Sequence, residues 1–264
     1  MIQSLYRDLR LRRNVIIIYC LIILALVSLY TAIYPSIQPH AAQLMSSVGN
    51  IYKYLGIEGK TSFSNLANYT SIETFGFTWP ILASIFAIGL AGATIAGEIE
   101  KGTLGMLLSL PIPRWKIFLS KYLSGLLSIL LLVIFSVLPI ILAALLLNIN
   151  FHTTGFIYIA ILCLLFSFAI FSLGLMFSAL MNEKSHLYGV MGTIVLLMYI
   201  ANTIAGLKPS LNNLKYISFF HFFNSQKALV NNHISLISWA TFTGISIVSL
   251  LIGLIVISKR DIVI

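Results

Sequence analysis

The chain has 264 residues, of which 59% are hydrophobic and only 9% are charged, and its mean hydropathy is +1.00. This composition excludes an ordinary soluble globular domain and indicates an integral membrane protein. The formal net charge of +9 does not indicate a nucleic-acid partner, because the basic residues stand at the ends of apolar runs and form no separate basic domain.

The first thirteen residues predict an amphipathic helix at the membrane interface. An apolar stripe recurs at helical spacing, formed by Ile2, Leu5, Tyr6 and Leu9. Four arginines fall mostly off that stripe: Arg7, Arg10, Arg12 and Arg13. The plain interpretation is an anchor that holds this end of the chain in the cytosol, and the alternative is a helix that also contacts a cytosolic partner.

Six apolar runs are long enough for a helix that crosses about 30 Å of hydrocarbon. We predict an all-α integral membrane protein with transmembrane helices over 15–34, 75–97, 117–147, 155–181, 187–207 and 234–257. Pro35 and Pro39 should end the first span, and Pro139 should kink the third. No linker or repeat divides the sequence, so residues 1–264 are interpreted as one transmembrane domain.

Small residues recur at four-residue spacing near the end of the second span, at Gly89, Ala93 and Gly97. Such a stripe lets another helix backbone approach closely. The neighbour is either a helix of the same subunit, which is the ordinary case, or a helix of a second copy.

The segment between the second and third spans is the one long mid-chain stretch where charge interrupts the apolar sequence. Glu98, Glu100 and Lys101 precede a run of leucines, and Pro111 and Pro113 end any helix that has formed. We predict a short amphipathic helix over 98–113, lying on the membrane surface. A loop that only reverses the chain needs fewer residues, so a surface built for a partner is the favoured interpretation.

The distribution of positive charge predicts the orientation. Of the 16 lysines and arginines, eleven, including every arginine, fall on the side of the two termini. Because cytoplasmic segments carry the excess of Lys and Arg, we expect both termini in the cytosol. The segments 35–72 and 208–232 are then extracellular; the first contains a possible short helix over 45–55 and no assignable chemistry.

Several function classes find no support in the residues. No Asp, Glu, Lys or Arg lies deep within a predicted span, which disfavours an ion-coupled transporter. The outer histidines are scattered over separate loops without ligand spacing, so we expect no metal site: His40, His152, His221 and His233. No catalytic motif is present, and no GxxxxGK[ST] loop is available to bind ATP.

The segment at 98–121 resembles a known family. Its order of residues is similar to the signature of permease subunits of type 2 ATP-binding-cassette (ABC) exporters: Glu98, Gly102, Thr103, Leu107, Leu108, Pro111, Arg114, Ile117 and Lys121. The aromatic run before the last span, 216–223, also resembles that family, with Phe219 where the family usually has a proline.

The resemblance implies a non-catalytic subunit that binds no cofactor itself, with ATP and Mg held by a separate cytoplasmic ATPase. The segment 98–113 would be the coupling helix that contacts this ATPase. In that role Glu98 and Arg114 would make polar contacts, Leu107 and Leu108 an apolar plug, and Gly102 and Pro111 would set the shape, with Thr103 beside them. The N-terminal arginines would belong to a connecting helix that also touches the ATPase.

The resemblance further implies a second permease copy, as homodimer or heterodimer, with a path between the copies lined mainly by the second and fifth spans. The aromatic run would dip into the outer leaflet. We expect a multi-pass protein of a prokaryotic plasma membrane, in contact with its lipids. The uncharged spans favour a hydrophobic or amphipathic cargo such as a drug, peptide or lipid, and the alternative is a membrane anchor or assembly factor that transports nothing.

Overall fold

The computed structural model describes residues 2–43, 65–108, 112–146 and 153–260. Within these ranges the chain is helical and contains no β-strand. The α-helices are α1 (Ile2–Ile37), α2 (Leu66–Ile72), α3 (Trp79–Gly92), α4 (Ile95–Glu100), α5 (Thr103–Leu108), α6 (Arg114–Leu146), α7 (Thr153–Leu180), α8 (Lys184–Leu207), α9 (Phe219–Phe222), α10 (Ser225–Leu229) and α11 (Leu236–Lys259). The short helix predicted over 45–55 lies outside the described residues.

Six helical segments in the described part of the chain are long and apolar enough to cross a membrane: Leu5–Gln43, Leu66–Gly92, Arg114–Leu146, Thr153–Leu180, Lys184–Leu207 and Leu236–Lys259. The prediction of an all-α membrane protein with six spans is therefore confirmed. The bounds of the last four spans agree with the predicted ones to three residues or fewer. We call the end of the bundle that holds both termini the termini side, and the opposite end the far side.

The N-terminal interfacial helix is not a separate element, which corrects the prediction for residues 1–13. α1 runs without a break from Ile2 to Ile37 and includes the whole first span. No glycine or proline stands before Pro35, so nothing in the sequence ends the helix at Arg13. Pro35 itself lies inside the last turn, and a short 3-10 turn follows at Gln38–His40.

The second span begins nine residues before the predicted start at Phe75, at Leu66. Asn65 caps α2 by accepting a hydrogen bond from the Asn68 N–H at 2.8 Å. The polar residues that suggested a loop make hydrogen bonds inside the helix: the Thr70 hydroxyl, for example, donates to the Leu66 carbonyl at 2.8 Å. A π-helical segment, Glu73–Thr78, joins α2 to α3.

The predicted small-residue stripe is not the face on which the second span packs closely. A side chain at Gly89 would meet nothing within 4 Å. At Gly97 an added Cβ would lie 2.8 Å from the Gly92 carbonyl oxygen of the same segment. The close approaches to other spans lie on other residues: a Cβ added at Gly92 would lie 2.2 Å from Tyr188 Cε1, and one at Gly174 would lie 2.8 Å from Ala91 Cβ. The second span therefore contacts α8 and α7 of the same chain through Ala91 and Gly92.

The bundle is organised around α6 and α7. α6 packs along α1, and α7 contacts α3, α6 and α11. An aromatic cluster fills the space between α3 and α7: the Trp79 and Phe223 rings stack with centroids 5.7 Å apart, and the Phe166 and Phe223 centroids are 4.9 Å apart. The indole N–H of Trp79 donates to Ser136 Oγ at 2.8 Å, which satisfies its one polar atom inside the core.

The aromatic run on the far side turns towards the interior of the bundle. After a 3-10 segment at Pro209–Ile217, Ser218 caps α9 by accepting a hydrogen bond from the Phe220 N–H at 3.2 Å. Phe219 and Phe223 are buried. The Ser225 hydroxyl then donates to the Ser71 carbonyl at 2.8 Å, so the segment between the fifth and sixth spans is fastened to the start of the second.

Candidate functional site

The predicted surface helix over 98–113 is two short helices, α4 and α5, joined at Lys101 and Gly102. Gly102 has a φ of +68°, in the left-handed region that favours glycine, and its N–H donates to the Ile99 carbonyl at 2.9 Å. This turn is the reason that one continuous helix does not form. We call residues 95–108 the α4–α5 element.

A group of four charged side chains joins this element to the first and third spans. Lys121 Nζ lies 2.5 Å from Glu98 Oε1 and 3.8 Å from Asp8 Oδ2. Arg7 Nη2 lies 3.3 Å from Asp8 Oδ1 and 3.8 Å from Glu98 Oε1. The side chains of Lys121 and Asp8 are each 1% exposed and that of Glu98 is 12% exposed. We call Arg7, Asp8, Glu98 and Lys121 the buried charge cluster.

Burying such charges has a large desolvation cost, which close pairing offsets. The cluster therefore favours one relative arrangement of α4 and α6, because separating them would deprive Glu98 and Lys121 of their closest partner, and α1 adds a second acid and a second base to the same group.

Arg12 extends the same contact to the second span. It follows Asp8 by one helical turn, is buried, and donates from Nη2 to the Ala93 carbonyl at 3.1 Å and from Nη1 to the Leu90 carbonyl at 3.4 Å. These carbonyls belong to the end of α3, where a helix has no partners of its own for them. Arg12 thus fixes the end of the second span against α1, while Arg10 and Arg13 on the same helix are exposed.

The break between α3 and α4 is fastened to the fourth span through Ser178. The Ala96 N–H donates to Ser178 Oγ at 3.0 Å, and Thr94 Oγ1 lies 3.0 Å from the same hydroxyl oxygen. The Thr94 hydroxyl also donates to the Ala91 carbonyl. One serine of α7 therefore bonds the Thr94 hydroxyl and the Ala96 N–H at the break, while Arg12 bonds the carbonyls at the end of α3.

Glu100 connects the element to the fifth span. The Lys184 N–H at the start of α8 donates to Glu100 Oε2 at 3.1 Å, and Lys184 Nζ lies 3.4 Å from Glu100 Oε1. The hydrogen bond from the Lys184 N–H, with the Lys184 charge, holds the pKa of Glu100 below its usual value. The carboxylate therefore stays charged at neutral pH. Because the pair is exposed, it positions the two segments and contributes little stability.

The predicted site residues separate into groups. Glu98 lies in the buried charge cluster, and the Thr103 hydroxyl donates to its backbone carbonyl at 3.3 Å. Arg114 Nη1 donates to the Arg260 carbonyl at 2.6 Å, which joins the start of α6 to the end of α11. The backbone of Leu107 and Leu108 ends α5, and their side chains, like all of Pro111, lie outside the described residues.

The sequence did not indicate Asp8, Ser178 or Lys184 as site residues, and it predicted Arg12 and Lys121 at the membrane surface and not in buried contacts. Two signals were available. Asp8 and Arg12 stand four residues apart, so they share one face of α1. Lys121, Ser124 and Ser128 stand at spacings of three and four, which predicts one polar face, and all three are buried.

The fold and the site together define a multi-pass helical membrane protein with a surface element that is bonded to four other spans on the termini side. The chain belongs to the ABC-2 transporter family: the model of the ABC-2 family transporter protein matches residues 6–258. This confirms the resemblance read from the segment at 98–121. Members are typically non-catalytic membrane subunits, and the family implies partnership with an ABC ATPase. No curated protein sequence matches the chain significantly.

Proposed function

We propose that this chain is the permease subunit of an ATP-driven exporter, which couples ATP hydrolysis by a separate cytoplasmic ATPase to export of a hydrophobic or amphipathic substrate. The observation that carries the proposal is the bonding of the α4–α5 element to the first, third, fourth and fifth spans. It is also continuous in sequence with the second span. A displacement of this element by a partner would therefore act on most of the bundle at once.

Within the element we assign two roles. Glu98 and Glu100 hold the element on the bundle, since both carboxylates are bound by residues of other spans.

The contact with the ATPase is assigned to the exposed turn at Gly102 and Thr103 and to the segment with Leu107, Leu108 and Pro111. Leu104 is 2% exposed and packs in the hydrophobic core, which anchors α5 to the bundle. Arg114 supports the same region through its hydrogen bond to the end of α11.

The termini side is proposed to face the cytosol of a prokaryotic cell. All the arginines of the chain fall on this side, which the distribution of positive charge in membrane proteins favours. The exposed Arg10 and Arg13, with the half-exposed Arg7, give the start of α1 a positive surface. This surface suits the anionic headgroups of the inner leaflet and an acidic patch of the ATPase.

We further propose that a second permease copy packs on the fifth span. This span is the least buried of the six, and its exposed face includes Leu196, Leu197 and Ile200. The second span adjoins it through the contact of Gly92 with Tyr188. A path between two copies would then be lined mainly by the second and fifth spans, whose apolar side chains suit a drug, peptide or lipid.

The test is co-purification of the tagged chain from its native membrane in mild detergent, with mass spectrometry of bound proteins. The wild type should retain a cytosolic ABC ATPase in equal proportion. The variant Leu107→Asp/Leu108→Asp should lose it, because two charges would replace the proposed apolar contact. A matched control, Ser185→Asp/His186→Asp, adds the same charges at exposed positions on the termini side and should retain the ATPase. Unchanged retention by the leucine variant would contradict the assignment.

The alternative is a membrane anchor or assembly factor that recruits a cytosolic protein and transports nothing. Reconstituted vesicles separate the two functions. An exporter changes its ATP turnover when a substrate is added and moves that substrate across the bilayer, whereas an anchor binds the ATPase without either response.

A further inference from the structure

A cavity of about 210 Å³ opens on the far side, between the segment 216–235 and the start of α11. Its polar lining comes from Tyr216, His221, Asn224, Lys227, His233, Ser235 and Ser238. No residue of the proposed ATPase contact lies near it in the chain.

The residues that line the cavity include a lysine and no acidic side chain. Residues 208–235 contain three lysines and two histidines but no Asp or Glu. None of the ion pairs between described residues includes Lys227. An exposed lysine beside two imidazoles and a phenol offers several donors and no carboxylate, which favours a negatively charged ligand over a cation.

Backbone hydrogen bonds hold the basic residues together. Asn224 Oδ1 accepts a hydrogen bond from the Lys227 N–H at 2.9 Å, and the His233 N–H donates to the Lys227 carbonyl at 3.1 Å. Asn232, between them, has a φ of +51°, a conformation that asparagine tolerates better than most residues. The chain is therefore turned back so that Lys227 and His233 lie on the same rim.

The remaining wall of the cavity is apolar and includes Leu162, Ile234 and Ile237. Ile237 is 65% exposed and the neighbouring Leu236 is 83% exposed, at the end of a membrane-spanning helix. Exposed apolar side chains on a membrane-spanning helix suit contact with the hydrocarbon of the bilayer. The volume is smaller than the roughly 300–1,000 Å³ of pockets that enclose a drug-sized ligand, so it suits a headgroup and not a whole amphiphile.

We propose that this cavity binds the phosphate-bearing, negatively charged headgroup of a lipid, with the acyl chains lying along the exposed face of α11. Lys227, His233 and Tyr216 donate hydrogen bonds to the phosphate oxygens, and Ile237 contacts the first part of the chains. The proposal concerns a lipid of the far leaflet and does not depend on the ATPase partner.

The test uses the purified full chain in mild detergent, incubated with equal amounts of dioleoylphosphatidylglycerol and dioleoylphosphatidylcholine. The two lipids share acyl chains and a phosphodiester and differ in net charge. Native mass spectrometry should show preferential retention of phosphatidylglycerol by the wild type. The variant Lys227→Gln/His233→Gln should reduce that preference by about tenfold, the effect of losing one charge-assisted hydrogen bond.

Lys208→Gln is the matched control, since it removes a far-side lysine that does not line the cavity, and it should retain the preference. Equal retention of both lipids by the wild type, or an equal loss in the control, would overturn the proposal. Both substituted residues of the test variant are exposed, and an unchanged elution volume verifies its fold.

Competition with glycerol 3-phosphate distinguishes a lipid from a soluble ligand. Displacement of phosphatidylglycerol at millimolar concentration supports a soluble phosphate ligand of the same chemistry, and retention of phosphatidylglycerol supports the lipid.

Discussion

Lys121 Nζ in the third span and Glu98 Oε1 in α4 are 2.5 Å apart, and both side chains are withdrawn from solvent. Asp8 Oδ2 and Glu98 Oε2 accept no hydrogen bond from the described residues, so the neutralisation of both carboxylates depends on the nearby cations. The α4–α5 element cannot move relative to the third span without separating this pair. We infer that the element and the bundle move together on the termini side.

The first prediction concerns Lys121→Met, which keeps the volume of the side chain and removes its charge. Among the described residues the two buried carboxylates would keep Arg7 as their ion-pair partner, with Arg12 farther away, and an uncompensated buried charge costs about 3–5 kcal/mol. We expect a clear fall in the unfolding temperature of the purified protein, measured by thermal unfolding in mild detergent. Lys116→Met, at an exposed position in the first turn of the same helix, is the control and should unfold like the wild type.

A double variant, Glu98→Gln/Lys121→Met, separates pairing from packing. Removing both charges should recover part of the stability that Lys121→Met loses, because the costly state is the unpaired carboxylate. Strictly additive losses would show that the two residues do not interact, contrary to the distance between them.

The second prediction concerns Gly102→Ala. Its φ of +68° costs a residue with a Cβ about 1–2 kcal/mol, while the space around it is open. The free-energy cost therefore comes from backbone strain, and it destabilises the turn between α4 and α5. Hydrogen exchange should increase over residues 99–105, and ATPase retention should decrease. Gly102→Asn should be milder, and Gly89→Ala, at an open helical position, should have no such effect. Unaltered exchange in Gly102→Ala would refute the argument.

The third prediction concerns Arg260, which joins three helix ends. Its Nη1 donates to the Ala179 carbonyl at 2.6 Å, its Nη2 lies 2.5 Å from Asn182 Oδ1, and its carbonyl accepts from Arg114. Arg260→Gln should increase hydrogen exchange at the ends of α7 and α11. Arg260→Lys should rescue little, because a single ammonium cannot reach two acceptors in the way a guanidinium does. Lys259→Gln, one residue earlier and exposed, serves as the reference.

The number and order of the spans could be predicted because hydrophobic length is a property of sequence alone. The predicted helix boundaries were wrong where contacts with distant parts of the chain, and not the local sequence pattern, determine the structure. The start of the second span was missed because Asn68, Thr70 and Ser71 are typical of a loop. In the structure the Thr70 and Ser71 hydroxyls donate to carbonyls within α2, and the Ser71 carbonyl accepts a hydrogen bond from Ser225. The break at Thr94 was missed because its stabilising partner, Ser178, is far away in the sequence.

The position of the surface element could be predicted from the sequence, but the neighbours of its charged side chains could not. The family resemblance assigned Glu98 and Arg114 to polar contacts with the ATPase. In the fold Glu98 meets Lys121 and Arg114 meets the end of α11. Those pairings depend on which helices are neighbours, and the pattern of one segment does not contain that information.

The last prediction concerns Gly155, at the far-side start of α7. A Cβ added there would lie 2.1 Å from the Leu229 carbonyl oxygen, which belongs to the backbone of α10 and cannot rotate away as a side chain could. Gly155→Ala should therefore displace α10 and the aromatic run packed beneath it, at a cost of about 1–3 kcal/mol typical of overpacking. The measurements are the unfolding temperature in detergent and hydrogen exchange over residues 219–230. Gly244→Ala, where a side chain would meet nothing within 4 Å, is the matched control. Equal unfolding temperatures for the two variants would show that α7 and α10 are not in this close contact.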